Sequence, residues 1–249
     1  MIDWGTTALD VMSQVDHVRQ EWCCEAKTIL VILSGGMDSA TCLAIAREIA
    51  KPGGKVEGIT FDYGQQHDKE IICAREIGWE MQANVTTINL HDLAGHFKTA
   101  LKKDSDIEIP EGVVEGVPDT YVPFRNSIMI SVAAGYAQSW GFDTIFYGAN
   151  IIDYSGYPDC RPEYIQQMND VIHTHEEHLN LEAPILYLNK AEVVRLGTQL
   201  NVPWDKTWSC YRGGQYACGK CPSCEFRLKG FIEAAQHDPL VYEGEMTHA

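Results

Sequence analysis

The turn Ser34-Gly35-Gly36-Met37-Asp38-Ser39 has the residue types and the position that phosphate binding requires. It directly follows the apolar run Thr28–Leu33, which we predict to be a buried strand, and it precedes a predicted helix from about Ala40 to Lys51. Glycines let the backbone approach an anion, and the amides at a helix N-terminus bind phosphate. The turn does not match G-x-x-x-x-G-K-[ST], so it is not a Walker P-loop. The alternative is an ordinary glycine-rich turn between a strand and a helix.

A second group of residues suited to chemistry is a cluster of four cysteines with the spacing C-x7-C-x2-C-x2-C, namely Cys210, Cys218, Cys221 and Cys224. Four thiolates at this density suit a tetrahedral structural Zn²⁺, which would leave no open position for activating water. The alternatives are an iron–sulfur cluster or four reduced thiols. The cysteines at positions 23, 24, 42 and 73 have no partner spacing, and we expect them to fill core space.

Alternating strands and helices must position both groups. After the first strand and helix, Val56–Phe61 reads as a strand, 68–81 as a helix and 85–90 as a third strand. This alternation predicts a doubly wound parallel sheet with helices on both faces. Ligands of such sheets bind beyond the carboxyl ends of the strands, where both the glycine turn and the segment 62–67 lie.

The remaining segments predict further elements without chemistry of their own. Val11, Val15, Val18 and Trp22 would share one face of an appended N-terminal helix. Ser127 to Trp140 is apolar on most faces, which predicts a buried helix, and Thr144–Tyr147 reads as another strand. Residues 98–121 read as a solvated loop. We predict three regions: an extension (1–26), an α/β domain that contains the glycine turn (27–205) and a metal-binding segment with a tail (206–249).

Composition limits the possible partners. The chain has 249 residues and a formal net charge of −16, which argues against a protein that grips a nucleic-acid backbone by itself. No apolar run approaches the roughly 18 residues that span a bilayer. The N-terminus lacks the basic and apolar regions of a signal peptide, so we expect a cytoplasmic protein. Its nine cysteines then point to metal binding rather than to disulfides.

Further segments carry a specific resemblance. They are Val122-Pro123-Phe124-Arg125-Asn126, Asp153-Tyr154-Ser155-Gly156-Tyr157-Pro158-Asp159-Cys160-Arg161, Leu188-Asn189-Lys190-Ala191-Glu192 and Thr207-Trp208-Ser209-Cys210-Tyr211. With the glycine turn and the four cysteines, they resemble the 7-cyano-7-deazaguanine synthase (preQ0 synthase) family of the N-type ATP pyrophosphatase superfamily. The likeness covers roughly residues 28–235.

The resemblance implies an adenine nucleotide alpha hydrolase-like fold and an ATP-dependent ligase of queuosine-type 7-deazapurine biosynthesis. Such a ligase makes 7-cyano-7-deazaguanine from 7-carboxy-7-deazaguanine and ammonia, through an activated carboxylate and an amide. It also implies Mg²⁺ with ATP, one structural Zn²⁺ per chain and a homodimer, with no direct nucleic-acid or membrane partner. No glutaminase segment is present in the sequence, so we expect free ammonia as the nitrogen source.

The resemblance also implies roles for individual residues. ATP would be bound by Leu33, Ser34, Gly35, Gly36, Met37, Asp38, Ser39, Phe61, Asp62 and Tyr63. The substrate would be bound by Arg125, Asp153, Tyr154, Ser155, Tyr157, Asp159 and Arg161. The catalytic residues would be Asp38, Arg125 and Lys190, and the Zn²⁺ ligands would be Cys210, Cys218, Cys221 and Cys224.

Each of these roles has an alternative. Asp38 would hold Mg²⁺ or instead cap the helix, and Arg125 and Lys190 would meet phosphate or carboxylate or instead form surface ion pairs. The segment 153–161 could be a structured loop, and we expect Cys160 to line the pocket rather than act as a nucleophile. Phe124 replaces a small residue that is usual in the family, which would alter the pocket shape.

Two other functions are alternatives to this one. A tRNA-thiolating enzyme of the same fold class would need a basic RNA surface and a sulfur-handling cysteine. A non-catalytic, zinc-stabilised binding module would not need an intact phosphate loop.

Overall fold

The computed structural model of the protein describes residues 2–21, 27–50, 54–65, 68–94, 96, 122–151 and 157–244. The strands are β1 (Thr28–Ile32), β2 (Lys55–Asp62), β3 (Asn84–Asn89), β4 (Thr144–Phe146) and β5 (Asn180–Glu182). The helices are α1 (Ala8–Glu21), α2 (Met37–Ile49), α3 (Lys69–Glu80), α4 (His91–Ala94), α5 (Arg125–Trp140), α6 (Pro162–His173), α7 (Lys190–Gln199) and α8 (Pro222–Glu233). Among the residues that the structure describes, 3₁₀ turns span Pro158–Cys160 and Trp204–Lys206.

The five strands form one parallel sheet in the order β3-β2-β1-β4-β5. In the middle of the sheet, Leu30 of β1 lies between Glu57 of β2 and Ile145 of β4. The order of the strands reverses between β1 and β4, and such a switch point opens a crevice at the carboxyl edge. The predicted doubly wound parallel sheet is therefore confirmed, and the glycine turn after β1 lies at the switch point.

The apolar run of β1 is buried on both faces of the sheet, as its continuous hydrophobicity predicts. Ile29, Val31 and Leu33 belong to the core that also contains α2 and α7. Leu30 and Ile32 belong to the opposite core, which is completed by α5 and α6. Side chains alternate between the two faces of a strand, so one five-residue strand supplies both cores. The glycine turn therefore follows a strand that is held in place by packing on both faces.

The N-terminal extension packs on the main domain. Val11 and Val15 of α1 are fully buried in the core that also contains α2. The side chains of Val18 and Trp22, which complete the predicted face, are not among those that the structure describes. The ring of Trp4 meets Phe146 edge-on, with centroids 5.6 Å apart. Its indole N–H donates to Glu182, which also accepts the backbone N–H of residue 2. The division of the chain into three regions stays a prediction.

The prediction that α5 is buried on most sides was wrong. Only Ile130, Ala133 and Ala137 are fully buried, and Trp140 is 63% exposed. Alanine, glycine and serine make the sequence look apolar all round, but exposing such small side chains costs little hydrophobic free energy. α5 therefore needs to bury only one side of the helix, and Ile130, Ala133 and Ala137 pack against the sheet. Within the described ranges, no helix combines the length and apolarity that crossing a bilayer requires.

Candidate active site

A cleft opens at the carboxyl edge of the sheet, beyond the ends of β1, β2 and β4. The first turns of α2, α3, α5 and α7 and the cysteine-bearing segment complete its wall. Its charged and aromatic lining residues are Asp38, Phe61, Tyr63, Glu70, Arg125, Tyr147, Tyr157, Asp159, Lys190, Trp208, Tyr211, Phe226 and Arg227. A cleft that brings cations, carboxylates and aromatic rings together is suited to binding an anionic, flat ligand.

The glycine turn forms one wall of the cleft and has the backbone of an anion-binding loop. Gly35 has φ +84°, and a Cβ there would lie 2.3 Å from the carbonyl oxygen of Glu70, so no other residue fits. Gly36 is the N-cap of α2 and provides no side-chain cap. The helix thus begins at Met37, three residues before the predicted start, and its first amides are open to an anion.

Ser34 and Ser39 hold this loop together. The hydroxyl of Ser39 accepts the backbone N–H of Ser34 at 3.1 Å and donates to the carbonyl of Gly36 at 3.2 Å. The two hydroxyl oxygens are 3.1 Å apart. From the segment that follows β4, Gly148 approaches so closely that a Cβ there would lie 3.1 Å from the amide nitrogen of Ser39. The loop is therefore pre-formed by contacts from both sides of the switch point.

Asp38 and Lys190 meet inside the cleft although 152 residues separate them in the sequence. The lysine Nζ lies 2.7 Å from both carboxylate oxygens, and the two side chains are 15% and 29% exposed. Lys190 opens α7, whose start is fixed by a capping box between Asn189 and Glu192. Since Gly36 caps α2, the helix-cap alternative for Asp38 was wrong. The alternative that Lys190 forms an ion pair on the protein surface was also wrong, because its ion pair with Asp38 lies in the wall of the cleft.

The end of β2 contributes Phe61 and Tyr63 to the cleft but directs Asp62 elsewhere. Asp62 accepts the backbone N–H of Gly64 at 3.3 Å and pairs with His91. The phenol of Tyr63 is buried, and this burial, reinforced by the carboxylate of Glu70, raises its pKa to about 12. Tyr63 is therefore a neutral hydrogen-bonding group at physiological pH.

Arg125, the first residue of α5, lines the cleft next to Tyr63. Its guanidinium donates to the phenol oxygen at 3.5 Å, with the carbon of the guanidinium 5.8 Å from the ring centroid. The preceding Phe124 has a left-handed backbone (φ 56°) and is 71% exposed. Its side chain does not line the cleft, so the expectation that it alters the pocket shape was wrong. The left-handed turn directs Phe124 outward and Arg125 inward.

The segment 157–161 supplies a buried carboxylate. Asp159 is 5% exposed, and its Oδ2 accepts the side-chain amide of Asn126 at 2.9 Å. Its Oδ1 is buried and has no hydrogen-bond partner among the described residues. Burial raises the pKa of this carboxyl, although Arg125 opposes the shift. A buried acceptor without a partner is costly, which favours a ligand that donates to it.

The other predicted substrate residues have different placements. Tyr157 lines the cleft, whereas Arg161 is exposed and is not part of the wall. The positions Asp153, Tyr154 and Ser155 lie outside the described residues. Cys160 lines the cleft, and burial raises the pKa of its thiol to about 11. A thiol that stays protonated at neutral pH is a poor nucleophile, in agreement with its predicted pocket-lining role.

Glu70 is a charged cleft residue that the sequence patterns did not predict. It is the second residue of α3, and burial raises its pKa to about 7 while Arg125 opposes the shift. The available signal was its position in the first turn of the helix that follows β2, because such turns face the carboxyl edge of the sheet. Lining residues from the cysteine segment, Trp208 and Tyr211 among them, were also missed.

The four cysteines Cys210, Cys218, Cys221 and Cys224 form one buried cluster whose Sγ atoms all lie within 4.8 Å of one another. Tetrahedral Zn–S bonds of about 2.3 Å place sulfurs about 3.8 Å apart, so the cluster fits a four-coordinate metal ion after small adjustments. Backbone N–H groups of Cys218 and Cys221 already donate to cluster sulfurs, at 3.4 and 3.3 Å. Such donors stabilise thiolates as metal ligands.

The cysteine segment contacts the glycine turn and is held together by a buried arginine. The backbone N–H of Trp208 donates to the carbonyl of Gly35 at 2.8 Å, which holds the glycine turn. The guanidinium of Arg227, on α8, is 1% exposed and donates to both carboxylate oxygens of Asp238 at 2.8 Å and to the hydroxyl of Thr207 at 2.6 Å. The segment thus positions the phosphate loop as well as the cluster.

Comparison with known proteins identifies related sequences over most of the chain. A family model described as "Queuosine biosynthesis protein QueC" matches residues 28–235. A protein of Thermoplasma acidophilum named 7-cyano-7-deazaguanine synthase is 46% identical over 230 residues, which are 88% of this chain and 93% of that protein. The protein of the same name from Oceanobacillus iheyensis is 42% identical over 220 residues, which are 87% and 98% of the two chains.

Solved structures share the fold at much lower identity. NMN synthetase from Francisella tularensis superimposes with a TM-score of 0.51 at 15% identity, covering 90% of this chain and 87% of that one. The U34-tRNA thiolase NcsA of Methanococcus maripaludis, solved with its [4Fe-4S] cluster, gives a TM-score of 0.50 at 15% identity and covers 88% and 70%. At such identity the likeness concerns the fold alone.

Proposed function

The chain belongs to the QueC family of queuosine biosynthesis proteins, and we propose that it converts 7-carboxy-7-deazaguanine and ammonia into 7-cyano-7-deazaguanine (preQ0) in an ATP-dependent reaction. The observation that carries this proposal is an identity of 46% and 42% to two proteins of that name, over 88% and 87% of this chain. The cleft offers a place for each reactant, as follows.

The deazaguanine base is proposed to bind at Asp159. Its N1–H and 2-amino groups are adjacent donors, and Oδ1 of Asp159 is a buried acceptor that lacks a partner among the described residues. A ligand that donates there would remove the cost of the unpaired atom. Tyr157, in the same wall, offers a ring face to the flat base. The roles of Asp153, Tyr154, Ser155 and Arg161 stay predictions.

ATP is proposed to bind with its phosphates on the loop 34–39, against the open amides of α2. Leu33, Phe61 and Tyr63 would adjoin the nucleoside. Lys190 would meet phosphate, and Asp38 would accept Mg²⁺, an ion that prefers carboxylate and phosphate oxygens. The present Asp38–Lys190 pair keeps both charges compensated until ATP and Mg²⁺ separate them.

The chemistry rests on activation of poor electrophiles. A carboxylate resists ammonia until its oxygen becomes a good leaving group, and adenylation provides one. Arg125 would hold the carboxylate in line with the phosphate through its planar fork. Ammonia then attacks the activated carboxylate and forms the amide. The amide oxygen is activated in the same way. The nitrile forms when the activated oxygen leaves and both N–H protons are lost. The protein contributes mainly positioning and electrostatic stabilisation.

The four-cysteine cluster is proposed to hold one structural Zn²⁺ per chain. All four positions would be filled by thiolates, so the ion would supply stability rather than activate water. We also propose a cytoplasmic homodimer that uses free ammonia.

Mass spectrometry of the reaction tests this function. Purified protein, ATP, Mg²⁺, ammonium and 7-carboxy-7-deazaguanine should yield the nitrile, and nucleotide analysis of the same sample distinguishes AMP from ADP. Asp38→Ala should abolish the product, while Asp16→Ala on the exposed face of α1 should not. A reaction that stops at the amide would overturn the second activation, and untouched ATP would overturn the function as a whole.

A further inference from the structure

We propose that Glu70 forms the ammonium subsite of this cleft and accepts the proton that ammonium must lose before its nitrogen can attack the activated carboxylate. The inference rests on the proposed function, because it assigns a group to the amide-forming step. Ammonium has no lone pair, so a ligase that uses free ammonia at neutral pH needs a base at the point of attack.

The position of Glu70 places it between the phosphate loop and the substrate side of the cleft. Its backbone carbonyl lies against Gly35, where a Cβ would approach it to 2.3 Å. Its side chain lines the cleft together with Tyr63 and Arg125. A nucleophile held there would reach a carbonyl carbon activated by a nucleotide on the loop.

Elimination among the cleft carboxylates points to the same residue. The cleft wall, as far as the structure describes it, contains three carboxylates: Asp38, Glu70 and Asp159. Asp38 is paired with Lys190 at 2.7 Å. Asp159 accepts Asn126 at Oδ2, and its unpaired Oδ1 is the oxygen proposed to accept the donor edge of the base. Glu70 forms no hydrogen bond or ion pair with the described residues. It is therefore the carboxylate available to a cationic ligand.

The surroundings of Glu70 suit proton transfer. Burial raises its pKa to about 7, opposed by the positive charge of Arg125. Among the described residues, the other titratable groups that act on it are Tyr63 and Cys73, and burial raises their pKa values to about 12 and about 11, so both are neutral. A base that titrates close to the working pH can both accept a proton and release it.

The carboxylate of Glu70 accepts one proton from NH₄⁺, which leaves neutral NH₃ and a neutral carboxyl group. The nitrogen lone pair forms the C–N bond, and the bond between the carboxyl carbon and the oxygen of the nucleotide leaving group breaks with its electron pair. The new C–NH₃⁺ group releases a proton to solvent as the amide forms. Glu70 then loses its proton to solvent before the next turnover.

The variant Glu70→Gln keeps the shape of the side chain but cannot accept a proton, and Glu76→Gln, on the exposed face of α3, is its matched control. Two activities are measured for each protein: exchange of pyrophosphate into ATP with 7-carboxy-7-deazaguanine alone, and product formation with either ammonium or hydroxylamine. Hydroxylamine is largely neutral at about pH 7 and attacks without losing a proton first, so it bypasses the proposed base.

We expect Glu70→Gln to keep pyrophosphate exchange and hydroxamate formation within about twofold of wild type. Its product from ammonium should fall by about 10²-fold or more at neutral pH. The deficit should shrink as the pH rises, because solution then supplies free ammonia. Glu76→Gln should match wild type throughout.

Three results would overturn the inference: an ammonium reaction unchanged in Glu70→Gln, a parallel loss of amide and hydroxamate, or a loss of pyrophosphate exchange. The last would place Glu70 on the nucleotide or its Mg²⁺ instead. A wild-type protein that neither exchanges pyrophosphate nor forms product would refute the proposed function itself, which separates that failure from a failure of the Glu70 assignment.

Discussion

Gly230→Ala should displace Lys190, because α8 crosses α7 at this glycine. A Cβ at position 230 would lie 2.7 Å from the Cβ of Lys190 and 3.2 Å from its backbone carbon and oxygen. Carbon atoms in good contact are about 3.5–4.0 Å apart, so the two helices must separate by about 1 Å. We expect this movement to withdraw Lys190 from Asp38 and from the phosphates.

The magnitude follows from two opposing effects. Overpacking costs about 1–3 kcal/mol, while replacing glycine by alanine inside a helix contributes about 1 kcal/mol of stability. Gly135→Ala isolates the second effect, because nothing lies within 4 Å of a Cβ there and the residue is inside α5. The two variants should therefore differ by about 1–3 kcal/mol, or about 2–4 °C in Tm for each kcal/mol at this chain length.

The assay combines thermal unfolding, ATP kinetics and metal content. A 1 Å misplacement of a catalytic group lowers kcat/KM by up to about 10²-fold, so the ATP-dependent rate of Gly230→Ala should drop while Gly135→Ala stays at the wild-type rate. Metal content should be unchanged in both, which separates displacement of Lys190 from damage to the cysteine cluster. Equal Tm values and equal kinetics for the two variants would refute the steric reasoning.

Three further predictions concern other parts of the cleft and the cluster. Asp159→Asn replaces a hydrogen-bond acceptor by an amide group that can place a donor against the N1–H and 2-amino donors of the base. The KM for the deazaguanine should therefore rise by about tenfold or more, with the KM for ATP unchanged. Equal effects on both KM values would argue against a base pocket at Asp159. Cys218→Ser should lose the bound metal and lower the Tm by several degrees, whereas Cys73→Ser, outside the cluster, should retain the metal measured by mass spectrometry. The raised pKa of Glu70 means that the folded protein keeps a proton up to about pH 7 that the unfolded chain releases near its ordinary carboxyl value. The free energy of unfolding therefore falls as the pH rises through that window. The unfolding midpoint of Glu70→Gln, measured against pH, should lack this contribution to the fall. Parallel curves for the variant and the wild type would contradict the expectation.

Local patterns in the sequence predicted the fold and the phosphate loop. The apolar run before the loop, the two glycines and the alternation of strands and helices are all properties of neighbouring residues. The strand bounds agree closely: Val56–Phe61 was predicted and the structure has Lys55–Asp62. The start of α2 was misplaced by three residues, because Gly36 rather than a later side chain caps it.

Small side chains misled the prediction for α5. Hydrophobic patterning measures which residues tolerate burial, and alanine tolerates both burial and exposure. The composition of α5 thus predicted a buried helix, whereas Trp140 at its C-terminal end is exposed. Cysteine spacing was a better guide, because metal coordination restricts distances within a few residues.

The sequence by itself determined the family resemblance, the parallel sheet, the glycine turn and the four-cysteine cluster, since each is recognised from short motifs and from their order along the chain. Only the tertiary structure decided that Asp38 pairs with Lys190 across 152 residues and that Trp208 holds Gly35. The physical reason is that contacts between distant segments are fixed by how helices pack on the two faces of the sheet. No spacing along the chain encodes such contacts.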